Sequence, residues 1–135
     1  MNKDASALLL LPLFALILPF VLWPVELFLP YPYILEEAAK GVLVFFVLQL
    51  SSRSIQFTYG FFVGLLFALS ENVLYLFNIF AIGTVSFFLQ RVSSTTALHI
   101  GTTFLILAVS LRDKRLIILG IFLAGVIHYL FNSFI

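Results

Sequence analysis

The sequence predicts an all-α, polytopic membrane bundle of about five transmembrane helices. Three observations carry that prediction. Hydrophobic residues make up 63% of the 135 and charged residues 10%, with a mean hydropathy of +1.20, against roughly 45 to 50% apolar residues in a soluble domain. The apolar residues fall into five runs of the roughly 17 to 25 needed to cross a hydrocarbon core of about 30 Å. The breaks between the runs are short. The chain reads as a single membrane domain, 1–135.

The first helix is expected over 6–23. Lys3 before an apolar run imitates a signal peptide, but the run is long and no small-residue cleavage site follows, which favours a retained helix. Pro12 and Pro19 are expected to kink it, which neighbouring helices in a bundle tolerate. The stretch PVELFLPYPY, 24–33, holds three prolines and two tyrosines and reads as a non-helical turn at the membrane interface. Further helices are expected over 34–50, 56–79, 85–109 and 115–134, joined by SSRSIQ, by a connection near 79–84 without a basic residue, and by LRDKR.

With five crossings, Lys3, Arg53, Arg112, Lys114 and Arg115 all fall on one side. The positive-inside rule then puts the N-terminus in the cytoplasm and the C-terminus outside, in a multi-pass protein of the cell membrane. No cysteine is present, which excludes disulfides, thiolate metal sites and cysteine nucleophiles. The 17 phenylalanines are spread along the chain and read as lipid-facing and packing surface, and nothing marks a nucleic-acid partner.

Ionisable groups inside a membrane are costly, by about 2.5 to 3.5 kcal/mol each on insertion scales, so each is paired, hydrated or used. The runs contain Glu36, Glu37, Lys40, Glu71, Arg91, His99 and His128, accompanied by Asn72 and Asn132. Glu36 and Lys40 are four apart and share a helical face, a spacing that on its own is usually structural. Gly60, Gly64 and Ala68 form a small-residue stripe that admits a close helix neighbour, and Glu71 and Asn72 follow it. Thr95, His99 and Thr103 line one face of the fourth helix, a polar stripe able to satisfy an imidazole. His128 and Asn132 lie one turn apart on the fifth. Taken singly, each is more often a hydrogen-bonded packing group than a catalyst. Helical rise nevertheless brings the carboxylates and histidines of four helices to the same half of the bilayer.

In that order, EExxK at Glu36, Glu37 and Lys40, FxxxEN at Phe67, Glu71 and Asn72, a histidine at His99, and HxxxN at His128 and Asn132 resemble the PrsW family of intramembrane proteases. That family is similar to the type II CAAX prenyl endopeptidases and bacteriocin-processing enzymes, and more remotely to the scaffold subunit of gamma-secretase. The resemblance spans 34–135 and implies a four-helix catalytic core around a polar cavity. It also implies an endopeptidase that hydrolyses a membrane-anchored protein, such as an anti-sigma factor, near the outer leaflet.

Carried over by motif, Glu36 is the general base acting on water, with Glu37 and Lys40 orienting it. His128 and Asn132 donate to the oxyanion, Asn72 supports the site, and Glu71 and His99 share the remaining duty. A glutamate-driven mechanism without a metal is the favoured expectation. A zinc version with His99, His128, Glu36 and Glu71 as ligands stays open, although no HExxH is present. A non-catalytic scaffold for partner helices is the competing class. Proton or ion transport is weaker, since the inner half offers little beyond Gln49 and Thr58 to continue a path. Substrate identity and oligomeric state are not legible.

Overall fold

In the computed structural model, which describes residues 3–82 and 84–134, the chain is a bundle of five α-helices: α1 Lys3–Glu26, α2 Pro32–Val47, α3 Arg53–Ile82, α4 Val85–Ser110 and α5 Ile117–Phe134. A single 3₁₀ turn, Lys114–Leu116, leads into α5. The side chain of Lys3, and Gly83 in the connection expected near 79–84, lie outside the described residues.

Four helices are long and apolar enough to cross a membrane: α1, α3, α4 and α5 with its preceding turn. All five expected helices are present, and α2 is the shortest of them. Its 16 residues cover about 24 Å at about 1.5 Å per residue, short of a hydrocarbon core of about 30 Å. The helix ends at Val47, short of the expected residue 50, and Gln56 of α3 fastens the turn that follows: its Nε2 donates to the carbonyls of Leu48 and Leu50, at 3.3 and 2.9 Å. Those oxygens would otherwise be orphaned at the helix C-terminus. Ser52 then caps α3 by accepting from the Ile55 amide at 3.3 Å.

The interface turn is also shorter than expected. α1 runs through Pro24 to Glu26, and only 27–31 separate it from α2. Pro32 occupies the first turn of α2, where a missing N–H costs nothing. Pro12, Pro19 and Pro24 all lie inside α1. In the turn that Pro19 loosens, Ser70 Oγ of α3 donates to the Leu16 carbonyl at 2.5 Å, so a neighbouring helix supplies a polar contact there. Thr84 caps α4 by accepting from the Phe87 amide, and Asp113 does the same for Arg115 at the turn before α5.

The packing is inverted relative to a soluble bundle. Phe14, Phe28, Phe45, Phe46, Phe87 and Phe122 are exposed on the outside, whereas Glu36, Glu37, Lys40, His99, Thr102, Thr103 and His128 are buried. Such an arrangement suits a lipid solvent, which tolerates apolar surface and penalises charge. α3 packs most extensively on α4 and α1, and α5 lies against α4 and α2. The approach of α3 to α4 depends on Gly64, where a Cβ would stand 2.7 Å from Ile100 Cα. The small-residue stripe thus works as the spacing predicts.

One end of the bundle is basic. Arg53 donates to the Leu111 carbonyl and Lys114 to the Gln49 side chain, at 3.2 and 3.3 Å. Counting from that end at about 1.5 Å per residue, Glu71 stands about 27 Å along α3, His128 about 21 Å along the last helix and its turn, and His99 about 17 Å along α4.

Candidate active site

Four helices bring their ionisable side chains to one buried cluster. α2 contributes Glu36, Glu37 and Lys40 within little more than one turn, α3 contributes Glu71, α4 His99 and α5 His128.

Lys40 is at the centre and is fully buried. Its Nζ donates to Glu37 Oε1 at 2.6 Å and to Thr102 Oγ1 at 2.7 Å, and stands 3.2 Å from His99 Nδ1. The spacing argument pairs Lys40 with Glu36 at i, i+4; in the structure its ion-pair partner is Glu37 at i, i+3. Helix geometry permits both, and Glu36 instead turns toward a cavity. Glu37 Oε1 also lies 2.8 Å from His128 Nδ1, and Glu36 Oε2 lies 3.7 Å from the same nitrogen. Since Glu37 is held by a cation, it serves as an acceptor, and His128 carries its proton on Nδ1.

His99 is packed from every side. Phe67 stacks on its ring with centroids 5.3 Å apart, the His128 ring meets it edge-on at 5.4 Å, and Glu71 Oε2 pairs with Nε2. The threonines of its own helix do not satisfy the imidazole as the polar stripe suggests. Thr102 and Thr103 donate to the His99 backbone carbonyl, at 3.4 and 2.7 Å, and the ring is held by residues of α2 and α3 instead.

Two of the expected groups sit at the margin. Asn72 is buried and donates to Thr96 at 3.3 Å, tying α3 to α4 beside the cluster. Asn132 is exposed one turn beyond His128 and is not brought into the cluster. Arg91 lies with its guanidinium carbon 3.7 Å from the centre of the Tyr75 ring.

A cavity of about 230 Å³ opens onto this cluster, lined among others by Trp23, Glu26, Glu36, Phe67, Glu71 and Tyr75. Glu26 is the site residue that sequence reasoning passed over, because 24–33 reads as a surface turn. A usable signal is present nonetheless: a single carboxylate between apolar neighbours. A second, mostly apolar groove of about 580 Å³ lies between α2 and α5 and reaches Glu37 from the opposite direction.

The donor set can be tested for a metal. Glu36, His99 and His128 each offer a ligand atom, and these atoms lie within 4.8 Å of one another. Glu36 Oε2 is buried without a hydrogen-bond partner among the described residues, and such an orphaned atom is costly unless a cation or water completes it. His128 donates Nδ1–H to Glu37 and so leaves Nε2 free, the carboxylate–histidine arrangement found behind metal ligands. One carboxylate and two imidazoles is a donor set that zinc enzymes use. The group least arranged for a metal is Lys40. Its ammonium faces His99 Nδ1, so loading Nε2 requires Lys40 to turn one N–H away as Nδ1 takes the proton.

Residues 15–135 match the sequence model of the PrsW family, described as intramembrane metalloproteases. No curated protein matches the chain, and no solved structure does.

Proposed function

Because the chain belongs to the PrsW family of intramembrane metalloproteases, we propose that it is an endopeptidase that cuts a membrane-anchored protein near the outer leaflet, at the cluster of Glu36, Glu37, Lys40, Glu71, His99 and His128. The observation that carries this reading is the convergence of Glu36, His99 and His128 donor atoms within 4.8 Å, at the wall of a cavity. A scaffold for partner helices has no need of unpartnered donors aimed at one point.

Glu36, His99 and His128 would hold a divalent metal, zinc being the first candidate, which would supply Lewis-acid polarisation and a water of lowered pKa. Glu37 fixes the tautomer of His128 through the 2.8 Å contact to Nδ1. Lys40 neutralises Glu37 and holds it against Thr102, so the imidazole keeps its orientation in a low-dielectric interior. Glu71, paired through Oε2 with His99 Nε2, also lines the cavity; with that nitrogen given to a metal, it would take the proton from the attacking water and return it to the leaving amine. Phe67 walls the His99 ring and excludes water behind it.

A second reading, without a metal, is supported by Lys40 at 3.2 Å from His99 Nδ1. That contact makes Nδ1 an acceptor and puts the ring proton on Nε2, facing Glu71. Glu36 is then the base. Asn132 is dropped as an oxyanion donor in both readings because it is exposed.

The basic end, carrying Arg53, Arg112, Lys114 and Arg115, faces the cytoplasm by the positive-inside rule, which puts the N-terminus inside, the C-terminus outside and the cavity toward the outer leaflet. Coexpression with single-pass reporters tests reaction and side together. A reporter with its juxtamembrane target segment outside is cut, the inverted reporter is not, and Glu36→Gln abolishes cleavage while the protein is still extracted folded in detergent. Undiminished cleavage by Glu36→Gln refutes the assignment.

A further inference from the structure

Glu26 faces the same cavity, and none of the chemistry above uses it. It ends α1, where Oε1 is buried and has no hydrogen-bond partner among the described residues. Glu36, only 8% exposed, also lines this cavity with an unpartnered Oε2. Glu71 makes a third carboxylate, and no lysine, arginine or histidine is among the lining residues. The nearby cations are committed elsewhere: Lys40 to Glu37 and Thr102, and Arg91 to the face of Tyr75.

Carboxylates in such a site are costly unless a cation completes them. The donors that converge for a metal are Glu36, His99 and His128, and Glu26 is not one of them. Around Glu26 the wall is aromatic and apolar, with Trp23, Leu27 and Tyr75. A carboxylate sharing a cavity with an indole one turn earlier on the same helix recognises an ammonium or guanidinium on a long apolar stem, through an ion pair and a cation–π contact.

We propose that the Glu26 end of the cavity is a specificity subsite for a lysine or arginine side chain of the substrate, close to the scissile bond. The placement beside a scissile bond rests on the endopeptidase reading; the binding of a basic side chain does not.

Trp23 is the single tryptophan of the chain and lines the cavity, so its fluorescence reports occupancy without catalysis. The detergent-solubilised full chain is titrated with a short amidated, N-acetylated peptide carrying one lysine, and with the same peptide carrying glutamine. The lysine peptide is expected to bind at least about 10-fold more tightly, the scale of one charge-assisted contact of about 1.5 kcal/mol. Glu26→Gln should remove that difference without changing the glutamine peptide, and Glu26→Asp should keep part of it.

Equal binding of both peptides to the unmodified protein overturns the proposal, as does a lysine preference that survives Glu26→Gln. Vesicles containing phosphatidylethanolamine, compared with phosphatidylglycerol, test whether a lipid ammonium is the true ligand. Glu26-dependent displacement of the peptide by the former alone overturns the assignment to substrate. Lysine-selective binding in a protein that cuts no reporter sinks the endopeptidase reading and leaves the cationic subsite standing.

Discussion

Replacing Gly64 by alanine tests whether the close approach of α3 and α4 is what aligns His99. A Cβ at this position would stand 2.7 Å from Ile100 Cα and 2.9 Å from the His99 carbonyl oxygen, both backbone atoms that cannot rotate away. Ordinary contact begins near 3.4 Å, so the helices must part by about 0.7 Å, the shortfall of 2.7 Å from 3.4 Å. That movement exceeds the roughly 0.5 Å within which catalytic groups must be held, and a misplacement of about 1 Å can cost about 100-fold in rate. Overpacking of this kind also destabilises by about 1 to 3 kcal/mol. We expect Gly64→Ala to lose about 10- to 100-fold in reporter cleavage at matched expression, with a lowered midpoint of thermal unfolding in detergent. Gly101→Ala, on the facing helix α4, is the control, since a Cβ there meets nothing within 4 Å. It should keep full activity. Unchanged cleavage by Gly64→Ala, or an equal loss at Gly101→Ala, refutes the argument that helix spacing aligns the site.

Two further outcomes test the charge arrangement. Lys40→Met leaves Glu37 as an uncompensated buried charge and should cost about 3 to 5 kcal/mol of stability; adding Glu37→Gln should recover much of that loss, measured by unfolding in detergent, without restoring cleavage. Additive losses in the double variant would show that the 2.6 Å pair is not an energetic unit. For the metal, elemental analysis of purified protein should find about one equivalent of a divalent ion, lost in His128→Ala, with cleavage stopped by chelation and restored by zinc. Full activity in metal-depleted protein would instead support Glu36 as the base.

Much of the molecule was legible before any coordinates. Hydropathy and run length are local properties, so they determine the all-helical class and all five helices to within a few residues. The positions of Glu71, His99 and His128 along their helices follow from a rise per residue and nothing else. What failed locally did so for identifiable reasons. α2 ends at Val47, and Gln56, from the next helix, fastens the turn beyond it through the Leu48 and Leu50 carbonyls. α1 outruns the predicted turn because Pro24 is accommodated inside it, which carries Glu26 to the cavity.

By itself, then, the sequence determined that the chain lies in a membrane, that its charges are too costly there to be idle, and that four helices carry them to one depth. Only the tertiary structure decided which groups meet. Lys40 pairs with Glu37 and not Glu36, His128 faces Glu37, Phe67 stacks on His99, and Asn132 is left exposed. Such partners depend on how each helix is rotated and how closely it crosses its neighbour. Those quantities are set where glycine lets backbones touch, at Gly64 against Ile100 and at Gly120 against Ile106. No periodicity along one helix carries that information, because it resides in the surface of the other.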